Sequence, residues 1–141
     1  MKLSRRARYA LRMMVAIARQ TKEKKRISLT QVAKLTDLSR RYLEQLAIAL
    51  KNASLIVGKS GKTGGYMLGR PAADIKVGQI VEAAIGPINI VECLSQPDLC
   101  MLSTGCECRW LYQDINDRIT DVLYGYSLQD LADKRHDHNQ Q

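Results

Sequence analysis

The stretch Ile27–Arg70, ISLTQVAKLTDLSRRYLEQLAIALKNASLIVGKSGKTGGYMLGR, decides the fold of this chain. Ser28 followed three residues later by Gln31 has the spacing of a capping box, and Ser39 can cap a second helix after a break at Asp37 and Leu38. In that second helix Leu43, Leu46, Ala47 and Leu50 recur at the three-and-four spacing of a buried stripe. Arg40, Arg41, Glu44 and Gln45 are then left on or beside the outer face, with Tyr42 in the opening turn. The helix is expected to end near Asn52, a residue able to take the left-handed conformation at a helix terminus. Ser54–Val57 is short, apolar and β-branched enough for a strand, and Tyr66–Leu68 would be its partner. Between them GKSGKTGG supplies glycines to the turn and puts Lys59 and Lys62 at its tip. Two helices, a tight connection and a basic hairpin make a winged helix-turn-helix.

Outward from this stretch, Leu3–Gln20 carries Ala7, Ala10, Leu11, Met14, Val15 and Ala18 on a helical stripe, with Ser4 as its cap. Arg5, Arg6 and Arg8 fall in its first turns, where cations oppose the helix macrodipole by a few tenths of a kcal/mol each. A nearby anion would reverse that penalty, and phosphate is the obvious candidate beside plain solvation of the arginines. Thr21–Arg26 reads as a charged loop. With 141 residues the chain is one domain, with or without an oligomerisation arm. Its net charge of +8 is uneven: residues 1–70 hold 17 Lys/Arg against 3 Asp/Glu, residues 71–141 hold 5 against 11, so the halves carry +14 and −6. That split joins a polyanion-binding module to a part with another task, the plainer alternative being a solvated basic face. The glycine-rich turn does not have the G-x-x-x-x-G-K-[ST] order of a nucleotide phosphate loop and sits between two strand-like runs. No run approaches the ~20 apolar residues of a membrane span, and no cleavage-type segment follows Met13–Ala18; a cytoplasmic protein without membrane association is expected.

In the acidic half, Val77–Ala84 reads as a short helix bounded by Gly86 and Pro87, and a loop from Ile88 to Cys108 holds all four cysteines. Residues from about Arg109 to Tyr124 form a long helix with Leu111, Ile115, Ile119 and Val122 on one narrow stripe, suited to pairing with a second subunit or to folding back on its own domain. Ser127 with Asp130 caps a last short helix, and the end of the chain, with His136 and His138, reads as a frayed tail. The fold class is thus mainly α: a winged helix-turn-helix domain over 1–87 with a two-stranded β wing, a cysteine-containing sensor loop over 88–108, a dimerisation helix and C-terminal helix over 109–133, and a flexible tail over 134–141.

LSRRYLEQL, the GGYMLGRP segment and the downstream ECL-then-cysteines block together resemble the IscR-like family of winged-helix transcription regulators, which includes regulators of iron-sulfur cluster assembly, nitric-oxide response and cysteine metabolism. The likeness covers about residues 1–130. It implies a homodimer on a near-palindromic double-stranded operator, with Ser39, Arg40, Arg41, Tyr42, Glu44 and Gln45 as DNA contacts in the major groove. Chemistry agrees independently: arginine pairs with guanine, glutamine with adenine, and a carboxylate accepts from cytosine. Lys59, Ser60 and Lys62 match the wing tip, and Arg5 and Arg6 are the candidate phosphate contacts of the first helix. Two-fold pairing sets half-sites roughly 34 Å apart or a multiple of it. The family pattern usually has glycine where Ser54 stands.

Cys93, Cys100, Cys106 and Cys108 are spaced by seven, six and two. Without a secretion signal such cysteines point to metal or redox chemistry rather than a disulfide framework. Absence of C-x-x-C pairs disfavours closed zinc. Cys93, Cys100 and Cys106 match the family's iron-sulfur ligands, for a [2Fe-2S] or [4Fe-4S] cluster. Where the cluster regulator has a histidine this chain has Arg109, which cannot ligate. Cys108 is the nearest substitute, but residues two apart on a continuous helix point about 200° from each other, so Cys106 and Cys108 can share a cluster only if Cys106 precedes the helix. A carboxylate, a backbone group or a partner-subunit residue is the other choice of fourth ligand. A thiol/disulfide switch, zinc, inert packing and control by an effector protein remain as alternatives. With no redox C-x-x-C, nucleophile-base pair or paired catalytic carboxylates, an enzyme is not expected.

Overall fold

The computed structural model describes residues 2–21, 25–94 and 107–134. The element order is α1 (Arg5–Thr21), α2 (Leu29–Thr36), α3 (Arg40–Asn52), β1 (Ile56–Lys59), β2 (Gly65–Leu68), α4 (Val77–Ile85), α5 (Cys108–Gly125) and α6 (Leu128–Asp133), with 3-10 turns at Ala72–Asp74 and Glu92–Leu94. The expected mainly helical winged helix-turn-helix is the fold observed.

Helix α1 is the centre around which the rest packs. The Ser4 hydroxyl accepts from the Ala7 N–H at 3.2 Å, the cap expected of it, and the helix begins at Arg5. Its buried residues are Ala7, Ala10, Met13, Met14, Ala16, Ile17 and Ala18, a wider face than one stripe. Met13 and Ile17 are fully buried, whereas Leu11 and Val15 are only half-buried. The physical reason is that α1 touches α2, α3, α4, α6 and β2, so apolar side chains are needed on most of its circumference.

The helix-turn-helix forms from local chemistry. Ser28 Oγ accepts from Gln31 N at 3.2 Å while Gln31 Oε1 accepts from Ser28 N at 3.0 Å, the reciprocal pair that satisfies two otherwise unpaired amides. Asp37 ends α2 in the left-handed region at φ 57°, and Ser39 Oγ caps α3 by accepting from Tyr42 N at 3.1 Å. Leu43, Leu46, Ala47 and Leu50 are the buried residues of α3, as their spacing predicts.

Two boundaries differ from the sequence expectation. Helix α3 does end at Asn52, but the left-handed residue is Ser54, at φ 60°. Ser54 N and Leu55 N donate to the Lys51 and Leu50 carbonyls, at 2.9 and 3.0 Å, and so complete the helix terminus. Those two residues are thereby taken up by the turn, and β1 starts at Ile56 instead of Ser54. The strands are antiparallel, pairing Ile56 with Leu68 and Lys59 with Gly65. The wing is bolted to the entrance of α2 by two backbone bonds between Ile27 and Tyr66, at 2.9 and 2.8 Å. Gly65 permits this: its φ is 132°, and a Cβ there would lie 2.7 Å from the Ile27 carbonyl oxygen.

Helix α5 extends from Cys108 to Gly125, one residue longer at each end than read from the sequence. Ser127 and Asp130 form the expected box at α6, with Asp130 N to Ser127 Oγ at 3.1 Å and Ser127 N to Asp130 Oδ2 at 2.8 Å.

Candidate nucleic-acid interface

Arg40, Arg41, Glu44 and Gln45 all stand exposed on α3, opposite the leucines that anchor it. No acidic residue occupies the first turn of α3 or of α1, so the amino ends of both helices offer an uncompensated positive dipole. Arg40 Nε lies 3.5 Å from Glu44 Oε1. As an exposed one-turn pair it is worth only ~0.3–0.5 kcal/mol, readily exchanged for a base or phosphate partner. Between α3 and the wing lies a groove lined by Ser28, by Arg40, Glu44 and Lys51 of α3, and by Lys59, Ser60 and Lys62 of the wing. Lys59, Ser60 and Lys62 are exposed in the wing turn. Lys25 and Arg26 meet Lys62 on the far flank of that turn, extending the cationic surface.

The remaining predicted residues divide. Ser39 acts first as the cap of α3, and Tyr42 is half-buried. The Tyr42 ring meets Tyr9 of α1 edge-on, with centroids 5.6 Å apart. Arg12 sits 5.4 Å above the Tyr9 ring and donates to the Thr36 carbonyl at 3.2 Å. Tyr9 and Arg12 therefore brace the helix-turn-helix from behind, a role the sequence does not disclose because the two residues lie on a different helix from the motif. Arg5 is exposed at the start of α1. Arg6, in contrast, donates from Nε to the Ala84 carbonyl near the end of α4, a favourable seat for a cation that turns it away from a purely external role.

In the acidic half of the chain, Cys108 is the first residue of α5 and is exposed. Cys93 lies in the Glu92–Leu94 turn, whereas Cys100 and Cys106 lie outside the described residues. Among the described residues no group of three or more His, Cys, Asp or Glu side chains is arranged to hold a metal ion. Helix α5 buries Asn116, whose Oδ1 accepts from the Ile90 N–H at 3.0 Å. Of its expected stripe, Leu111 and Val122 are each 58% exposed. Ile115 is half-buried, and Ile119 lines a groove with Val81, Ile88 and Leu123. So α5 packs on α4 through one side and leaves an apolar strip open on another. No described helix is long and apolar enough to cross a membrane.

A winged helix with an exposed cationic face on its second motif helix and wing is the architecture of a DNA-binding transcription regulator. The chain belongs to the Rrf2 family, described as iron-dependent transcriptional regulators, whose model matches residues 3–134. It is 33% identical over 131 residues to the transcriptional regulator IscR of Vibrio vulnificus, covering 93% of this chain and 77% of that protein. The regulator CymR of Bacillus subtilis is 36% identical over 132 residues, covering 94% of this chain and 90% of that one. The solved structure of that CymR, the global cysteine regulator, superposes with a TM-score of 0.77 over 94% of this chain and 96% of its own. The oxidized form of Staphylococcus aureus CymR, 34% identical, gives a TM-score of 0.74 over 96% of this chain and 98% of its own.

Proposed function

We propose that the protein is a homodimeric regulator that binds a near-palindromic operator with two winged helices and responds to cellular iron-sulfur, redox or nitric oxide status through its cysteine segment. The observation that carries this is the exposed face of α3, with Arg40, Arg41, Glu44 and Gln45 beside a lysine-tipped wing. Arginine and glutamine read purine edges, the carboxylate accepts from cytosine, and Lys59, Ser60, Lys62 and Arg5 fix register on the phosphates. Arg6 serves the interface mainly by tying α1 to α4. Dimerisation through α5 is supported by its apolar strip, in which Leu111 and Val122 are exposed and Ile115 is half-buried.

For the sensor, Cys93, Cys100 and Cys106 would hold an iron-sulfur cluster, with Cys108 as fourth ligand. Cys108 stands exposed at the first position of α5, where its thiol is open to a ligand; it could share a cluster with Cys106 only if Cys106 precedes the helix, since residues two apart on one helix point about 200° from each other. When bound, the cluster would supply a redox-sensitive and nitric-oxide-sensitive centre. A thiol/disulfide switch is the second reading, favoured by the likeness to a CymR solved in an oxidized form. The cytoplasm is the proposed compartment.

Two measurements test the proposal. Arg40→Ala with Arg41→Ala is expected to weaken duplex binding by about 1–3 kcal/mol per lost base contact and to relax specificity, while Lys59→Ala with Lys62→Ala lowers the slope of log affinity against log salt by about 1 per lost phosphate contact; unchanged affinity and slope in both variants refute the DNA face. Anaerobic purification with visible absorption and iron and sulfide analysis is expected to give a coloured protein. A colourless protein with stoichiometric zinc, or one with only reversible thiol oxidation, refutes the cluster and leaves the DNA face standing.

A further inference from the structure

Ile48 is 63% exposed, the most exposed large apolar side chain among the described residues of the DNA-binding half. A single exposed apolar residue is ordinary on a protein surface, so exposure alone assigns nothing. Its register does. At 3.6 residues per turn Ile48 projects within about 20° of Arg41, on the side of α3 opposite Leu43, Leu46 and Leu50. Arg41, Glu44, Gln45 and Ile48 follow the spacing i, i+3, i+4, i+7, the pattern by which one face of a recognition helix meets successive base pairs in a major groove.

Ile48 shares its exposed face of α3 with Arg41, Glu44 and Gln45, polar neighbours that suit neither a core nor a helix-stabilising role. The groove along the adjoining side of α3 carries Arg40, Lys51, Lys59 and Lys62, and a β-branched residue is a poorer choice than alanine, leucine or lysine for an exposed helix position. An apolar branched tip on a cationic reading face matches one feature of a duplex. In the major groove the thymine 5-methyl is the apolar group among otherwise polar base edges, and hydrogen-bonding side chains cannot recognise it.

We propose that Ile48 is a specificity-determining residue that reads a thymine by packing its side chain on the 5-methyl group, next to the bases met by Arg41 and Gln45. This rests on the DNA-binding face proposed above, and deepens it by adding an apolar letter to a code otherwise made of hydrogen bonds. Uracil is the discriminating probe, since it preserves every hydrogen-bonding edge of thymine and removes only the methyl.

The full-length protein is used to select a duplex from a random-sequence pool, and each thymine of that duplex is then replaced singly by uracil. Wild-type protein is expected to lose about three- to fourfold in affinity at one thymine position, the equivalent of one buried methyl. Ile48→Ala is expected to bind the thymine duplex correspondingly less tightly and to show no difference between thymine and uracil there. Ile48→Val should keep part of the discrimination. Melting temperatures of all variants control for folding. If wild-type binds tightly but tolerates uracil everywhere, or if Ile48→Ala keeps the full sensitivity, Ile48 does not read a methyl and the polar face stands. If no duplex is bound at all, both proposals fall.

Discussion

Ser54 is a serine in a conformation where L-residues are crowded. At φ 60° its Cβ approaches the neighbouring carbonyl, at a cost of ~1–2 kcal/mol for left-handed geometry, against ~0.4–1 kcal/mol that glycine loses through its freer unfolded chain. Ser54→Gly is therefore expected to stabilise the protein by about 0.5–1 kcal/mol and raise Tm by about 1–4 °C in thermal melts followed by circular dichroism. A lower Tm would show that the serine holds a compensating interaction. The four serine caps, Ser4, Ser28, Ser39 and Ser127, were legible in the sequence because a cap is a side chain meeting an amide two or three residues away. Ser54 was not, since which residue turns left-handed depends on where packing of α3 against α1 and α4 stops. Ile48 escaped for another reason: attention to charge passes over an apolar residue on the same face.

Helices α4 and α5 meet so closely that a Cβ on Gly78 would lie 2.2 Å from the Tyr124 ring. Burial pushes the Tyr124 phenol above its ordinary pKa of 10.0, and the hydrogen bond to Glu82 and that carboxylate's charge push the same way. Above pH 10 the folded state thus retains a proton that the unfolded state releases, so stability falls as pH rises. The contribution is whole below pH 10 and is lost as pH climbs through the folded value. In urea titrations the stability advantage of wild type over Tyr124→Phe is expected to shrink between pH 9 and 11, and a constant difference would refute the assignment. Among the elements, α3 and the wing were legible because each has a strict period. The breadth of the α1 core was not, because periodicity in one helix does not report how many neighbours surround it.

The +14 and −6 halves of the sequence correspond to a reading end built on α1–α3 and the wing and a second end built on α5. If α5 pairs with its copy, Leu111→Glu combined with Val122→Glu puts like charges against each other. The variant is expected to sediment as a monomer and to bind a two-half-site duplex about 100-fold more weakly, because the second half-site is then no longer engaged by a linked reading head. Persistence of a dimer would assign the interface elsewhere. At this scale the split of charge was legible in the sequence, but no local period specifies whether cysteines seven, six and two apart meet, since that depends on tertiary packing. Two anchors of the cysteine segment are fixed nonetheless. Asn116 grips the chain at Ile90, and α5 resumes it at Cys108, eight residues and about 12 Å earlier along the same rod. Both ends of the cysteine segment are thus tied to one helix, so a ligand drawn to those sulfurs would act on α5, the proposed pairing helix, before it could act on the wing.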